Sequence, residues 1–136
     1  MGTLKDLFDC DAFENMLGAK VIEAQEGYAK VGMTVKPCHL NLARICHGGV
    51  IFALADMAFG VAANSRGKLT VSLNAGITFL KPAYPGPLFA EARELMNHGK
   101  VPFLEVRVTD GEQNLIALMT SSGYRKREEL EVDGIM

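Results

Sequence analysis

At 136 residues with a formal net charge of -2, the chain is long enough for one domain with one buried core and too short for two. Its 49% hydrophobic and 22% charged residues are the balance of an ordinary globular protein, and without a basic stripe for a phosphate backbone nucleic acid is not an expected partner. Three cysteines, Cys10, Cys38 and Cys46, form no C-x-x-C pair; an odd count without a secretory signal points to free thiols in a reducing, cytoplasmic setting.

The first ten residues mix Lys5, Asp6 and Asp9 with apolar ones, which is not the uninterrupted core of a secretory signal. Leu4, Leu7, Phe8, Ala12, Met16 and Leu17 stand at near-helical spacing, so an N-terminal helix is predicted over residues 1–17, stopped by Gly18. From residue 19 to 36 the period becomes two: Ala29, Val31, Met33 and Val35 alternate with polar or small residues, and Glu26-Gly27 marks the turn of a hairpin. Residues 37–46 lack periodicity and carry Pro37, His39, Asn41 and Arg44, the composition of a loop able to bear function.

After His47-Gly48-Gly49 a long apolar helix is predicted over residues 48–65. Its apolar run of about 17 residues is short for a bilayer crossing and holds Asp56 near its middle, so a buried helix is the better reading and no membrane partner is expected. A strand over 70–79 follows, its apolar face formed by Val71, Leu73, Ala75, Ile77 and Phe79 and its polar face by Thr70, Ser72, Asn74, Gly76 and Thr78. Three antiparallel strands come next, near 88–96, 103–109 and 115–124, turning at His98-Gly99-Lys100 and Asp110-Gly111. The charged tail, 125–136, reads as a solvated, loosely ordered end.

A helix apolar on nearly every side must be covered on nearly every side. The pattern therefore predicts an α+β domain spanning 1–136, an antiparallel sheet curled around a central helix. One such sheet leaves the cover incomplete, and pairing through sheet edges makes a homo-oligomer the default.

Asp56 breaks that apolar helix. Residues at offsets of -7, -3, +4 and +7 from it are Gly49, Ala53, Gly60 and Ala63, all small, whereas Ile51, Leu54, Ala55, Ala58 and Ala62 form the packing side. A carboxylate beside such a groove is either held by structural donors or reserved for water and substrate, because left unpaired in an apolar interior it costs several kcal/mol. At the start of the same helix the first N–H groups have no intrahelical partner, and glycine at 48 and 49 lets a carbonyl oxygen approach them. Each good donor to a developing oxyanion is worth about 2.7–4 kcal/mol. Gly48 and Asp56 are separated by about 12 Å of helical rise, a gap that a facing subunit can close.

Asn41, Cys46-His47-Gly48-Gly49, Leu54-Ala55-Asp56, Asn64-Ser65 and Phe79-Leu80-Lys81-Pro82 together resemble the hotdog-fold acyl-CoA thioesterases of the phenylacetate-pathway type, over residues 40–124. The resemblance implies a sheet wrapped around the central helix, and a dimer or dimer of dimers with active sites at the subunit interface. It implies hydrolysis of an acyl-CoA without metal or cofactor, coenzyme A being part of the substrate. Carried onto this sequence, Asp56 is the nucleophile or general base, Gly48 the oxyanion donor, Asn41 an orienting group, His47 a support for the loop or thioester, and Asn74 a polar residue offered from the other subunit. The segment between Asn41 and His47 departs from the pattern in having no glycine, and relatives more often carry a hydroxyl at the position of Asn74.

Other readings are a hydratase or dehydratase of acyl-CoA on the same fold, and a non-catalytic acyl-CoA-binding module. Cys38-His39 and Cys46-His47 lack the paired spacing of a zinc site. Arg66 and Lys68, or Arg125-Lys126-Arg127, are candidate contacts for the phosphates of coenzyme A, set against the plainer reading of a solvated charged surface.

Overall fold

A computed structural model describes residues 2–136. The N-terminal segment is two helices rather than one: α1 (Leu4–Asp9) and α2 (Ala12–Leu17). The break has a local cause. The Asp11 side chain accepts the N–H groups of Phe13 and Glu14 at 3.0 and 3.1 Å, so it caps a new helix instead of continuing the old one. Gly18 ends α2 in the left-handed conformation, φ 85°, which costs a residue without Cβ nothing.

The hairpin consists of β1 (Lys20–Gln25) and β2 (Tyr28–Val35), and a short 3-10 turn, Pro37–His39, opens the loop that follows. The central helix α3 runs Gly48–Ala63, ending two residues short of the predicted boundary. Asn64 ends it: its Nδ2 donates to the Gly60 carbonyl at 2.7 Å and to the Thr70 carbonyl at 3.1 Å, while its Oδ1 accepts the Thr70 N–H at 2.8 Å. A side chain bonded on both sides ties the helix exit to the next strand and draws the backbone off the helical path.

Four strands follow, β3 (Lys68–Phe79), β4 (Gly86–Met96), β5 (Phe103–Asp110) and β6 (Leu115–Glu129). All six strands form one sheet in the order β1-β2-β4-β5-β6-β3, every pairing antiparallel. This is the hotdog arrangement, an α+β fold in which α3 lies against β2, β4 and β5. Leu54, Ala55, Ala58, Val61 and Ala62 on the helix are fully buried against Ala29, Val31, Leu88, Ala90, Val106 and Met119 of the sheet. Alanines on the packing side bring helix and sheet close, so truncating a large residue such as Leu54 leaves a hole worth about 2–5 kcal/mol.

Two expectations are corrected. The apolar face predicted for β3 is split, because the register against β6 shifts between Ser72 and Asn74. The inserted residue reverses the alternation: Thr70 is buried and Val71 exposed before the bulge, whereas Ala75 and Ile77 pack on the core beyond it. The C-terminal tail, in turn, is tied down rather than loose. β6 continues to Glu129, the Leu130 N–H donates to Gly67 O at 2.8 Å, and Leu4 N–H donates to Gly134 O at 3.1 Å. Leu130 and Ile135 pack against the core. Residues 125–129 are five charged residues in a row, so no apolar period marks the end of β6 as a strand. No helix among the described residues is long and apolar enough to cross a membrane.

Candidate active site

The loop before α3 is organised by Asn41. Its N–H donates to Ile45 O at 2.9 Å, and its Oδ1 accepts the N–H groups of Ala43 at 2.9 Å and Ile45 at 3.4 Å. These bonds close a turn in which Arg44 adopts φ 63°. An L-residue there costs about 1–2 kcal/mol relative to the right-handed region, so this chain makes without glycine the left-handed step that glycine makes at no cost. With Oδ1 committed to the loop, the two N–H donors of Asn41 Nδ2 have no partner among the described residues. The loop is closed by a Leu40–Cys46 bridge and by Cys46 N–H donating to Ala83 O at 2.7 Å. Burial pushes the Cys46 thiol up to about 11, so it remains protonated and is no nucleophile at neutral pH.

His47 is the N-cap of α3, and its Nδ1 accepts the N–H of Gly49 at 2.9 Å. Val50 and Ile51 donate to the His47 carbonyl. That leaves the Gly48 N–H as the free donor of the first turn among the described residues. Gly48 and Asn41 line one hollow of about 410 Å³, walled by Ile51, Phe79, Leu80 and Lys81. A Cβ on Gly48 would stand 3.2 Å from Cζ of Phe79, so the glycine keeps both the donor and the ring accessible. Two unpartnered donors thus belong to residues that line one cavity, and donors of that kind can stabilise an oxygen that gains negative charge.

Asp56 lies two turns along α3, half-buried, with no hydrogen bond or ion pair to any described residue. Burial holds its carboxyl above the usual carboxylate range. Its small neighbours are covered by the N-terminal helices: the Phe8 ring comes within 3.4 Å of a Cβ built on Gly60. Phe13, Met16 and Leu17 share a second hollow of about 370 Å³ with His47, Val50 and Ala53. Asp56 does not line the hollow of Gly48. Nor does Asn74, which stands exposed on β3, one of the two edge strands, where its carbonyl accepts from Ser121 Oγ at 2.9 Å. A single chain therefore brings Asn41 and Gly48 to one hollow, places His47 on the other, and leaves Asp56 and Asn74 off both.

The cations considered for coenzyme A phosphates are mostly engaged elsewhere. Arg66 pairs with Glu94 at 2.7 Å and Glu26 at 3.4 Å, Lys68 pairs with Glu129, and Arg125 is buried against Glu94 at 3.3 Å. Among these, Arg125 is corrected from a solvated surface charge to a covered side chain paired with Glu94. Lys81, which lines the Gly48 hollow, was hidden in sequence by its place in an apolar-proline run. Glu14 was also missed; it is buried on α2, and its only signal is helical spacing with Leu17. Among the described residues no group of three or more His, Cys, Asp or Glu is arranged to hold a metal ion.

Residues 44–117 match the family model of the Thioesterase superfamily. An Archaeoglobus fulgidus protein is 44% identical over 124 residues, covering 90% of this chain and 80% of that one. The acyl-coenzyme A thioesterase PaaI of Escherichia coli K12 is 33% identical over 120 residues, covering 88% of this chain and 86% of that one. A solved structure of the E. coli PaaI protein superposes with a TM-score of 0.88, over 91% of each chain. A Streptococcus mutans UA159 structure bound to acetyl CoA is 25% identical with a TM-score of 0.78, covering 82% of this chain and 91% of that one. Family match, relatives and fold agree: the chain belongs to the thioesterase superfamily, in its PaaI-like hotdog branch.

Proposed function

We propose that the protein hydrolyses acyl-coenzyme A thioesters to the free acid and coenzyme A, with Asp56 as the residue that activates the attack. The observation carrying this reading is a half-buried carboxylate with no partner of its own, on the helix whose first turn presents the free Gly48 N–H. The E. coli relative is named an acyl-coenzyme A thioesterase, and the S. mutans neighbour holds acetyl CoA; both support that substrate class.

The thioester carbonyl oxygen accepts from Gly48 N–H and Asn41 Nδ2, which stabilise the charge it gains. Asp56 then takes a proton from water as the water oxygen attacks the carbonyl carbon, or attacks that carbon itself to give an anhydride that water opens. In either route the C–S bond breaks and coenzyme A leaves as a thiolate that takes up a proton. His47 contributes by capping α3 and fixing which glycine N–H is free. Lys81 supplies a positive charge beside the hollow.

Asp56 of one subunit and Gly48 of another complete the site in this reading, because one chain holds them apart. The edge strand β3 exposes Val71, Leu73 and Phe79 at 41%, 59% and 51%, and antiparallel pairing of two such edges buries them and satisfies their open N–H and C=O groups. Asn74 then lies on the shared edge.

The test is free-thiol release from aromatic, short and medium acyl-CoAs by the parent and by Asp56→Asn. Turnover by the parent with a loss of about a hundredfold or more in the variant supports the reading. Undiminished turnover in Asp56→Asn removes Asp56 from it, and ligand binding without turnover by the parent replaces it with a binding module. Single turnover in ¹⁸O-labelled water tests the nucleophile route: label entering the Asp56 carboxylate marks water opening the anhydride at the Asp56 carbon, and so marks Asp56 as nucleophile.

A further inference from the structure

Glu14 stands in the first turn of α2, where the helix dipole favours an acidic residue, yet its carboxyl caps nothing: Asp11 does that. Glu14 is 8% exposed, on the buried face of α2 that it shares with Leu17, and its Oε2 is buried without a hydrogen-bond partner. No described cation pairs with it; Lys5, the one basic residue of α1, is engaged by Asp9 at 2.7 Å. α2 packs against α3, and the residues flanking Glu14, Phe13 and Leu17, wall a hollow with Val50 and Ala53. Ala53 is one turn from Asp56 on the same face.

We propose that Glu14 is a positioning residue of the Asp56 site: a neutral carboxylic acid on the covering helix whose ionisation adds a second negative charge and sets the alkaline limit of hydrolysis. The proposal rests on the thioesterase reading above and adds to it a residue outside the elements that reading uses.

The physical argument starts from burial. A carboxylate whose oxygen finds no donor loses its hydration without replacement, which favours the acid form. Burial pushes Glu14 up to about 7, and the charges of Asp11 at its own helix cap and Asp56 across on α3 act in the same direction. Asp56 is the more open to water of the two carboxyls, so the first negative charge settles on Asp56 and the proton stays on Glu14. Of the other titratable groups around α2, Asp9 is paired with Lys5. His39 and His47 each accept a backbone N–H through Nδ1, and with Cys38 they stand on the wall of the adjoining hollow. Below the titration of Glu14 the site carries one charge, suited to activating water. Above it a second charge opposes the anion that forms on the thioester carbonyl.

The test compares pH–rate profiles of the parent and Glu14→Gln, which has the size of the acid and no titration. The parent's kcat is expected to fall about tenfold or more between pH 6.5 and 8.5, the course of a group with an apparent pKa near 7, and the fall in the variant to be less than about twofold. The ratio is taken within each protein, so a lower folded fraction in the variant does not affect it. An equal fall in both proteins overturns the proposal. A second readout is the ¹³C titration of the Glu14 carboxyl by NMR, expected near neutrality in the parent and lower in Asp56→Asn; titration at the ordinary carboxylate position, unmoved by that substitution, overturns it independently of turnover. Absence of turnover by the parent on any thioester removes the thioesterase reading and the kinetic role with it, while the NMR titration still decides whether the two carboxyls are coupled.

Discussion

His47 Nδ1 accepts the N–H of Gly49 at 2.9 Å, and this one bond decides which of two adjacent glycines has its donor free. Replacing His47 by alanine removes the cap, at a cost of about 1 kcal/mol, and releases a second N–H one residue from Gly48. The expected result is a modest fall in the thermal unfolding midpoint together with a larger effect on kcat than on the Kd for substrate. His47→Asn, which restores a capping acceptor, is expected to recover most of the stability. Equal stability of His47→Ala and the parent by calorimetry contradicts the capping role.

Asp56 is held above the usual carboxylate range by burial. A group whose folded pKa is raised binds more protons folded than unfolded, so its contribution favours the folded state at low pH and is lost as pH rises from the unfolded value through the folded one. Asp56→Asn is therefore expected to lose activity and to gain stability relative to the parent at neutral pH, with the difference shrinking as pH falls toward the ordinary carboxylate value. Chemical denaturation across that range measures it; a variant less stable than the parent at pH 7 points to a donor for the carboxylate instead.

Arg44 adopts a left-handed conformation at φ 63°, in an exposed loop. Glycine relieves about 1 kcal/mol of backbone strain there, less what the freer unfolded chain takes back. Arg44→Gly is expected to match or exceed the parent in stability, whereas Arg44→Val, branched at Cβ, is expected to lose about 1–2 kcal/mol. The ordering of the three midpoints is the measurement.

Glu94 is the shared acceptor of Arg66 and Arg125, with its side chain and that of Arg125 at 6% and 8% exposure. Removing it leaves the Arg125 guanidinium without a carboxylate, held only by the Asn97 side chain and the His98 carbonyl, and a buried charge that loses its counter-ion is strongly destabilising. Glu94→Ala is expected to unfold at much lower denaturant, and Glu94→Ala combined with Arg125→Met to recover a large part of the loss. Additive effects of the two substitutions argue against the pair.

Periodicity carried most of the architecture. The period-two hairpin, the apolar helix with Asp56 in its middle and the strands after it are local patterns, and each element exists where its pattern put it, though α3 ends early and β6 runs on to Glu129. The small-residue face around Asp56 was equally legible, since helical spacing alone defines it. What escaped is decided by side chains that meet across the chain. Asp11 splits the first helix by capping its second half, Asn64 ends α3 by bonding a carbonyl on either side, and the bulge in β3 exchanges its faces; none of these leaves a mark in hydrophobic period. Only the packing of α2 on α3 buried Glu14, and only the sheet brought the Arg125 side chain against Glu94, because burial of a charged group depends on what covers it. The sequence of itself determined which residues could do chemistry, through residue type and spacing; the tertiary structure decided which of their donors and charges are left free to do it, because hydrogen bonding and desolvation are set by neighbours distant along the chain.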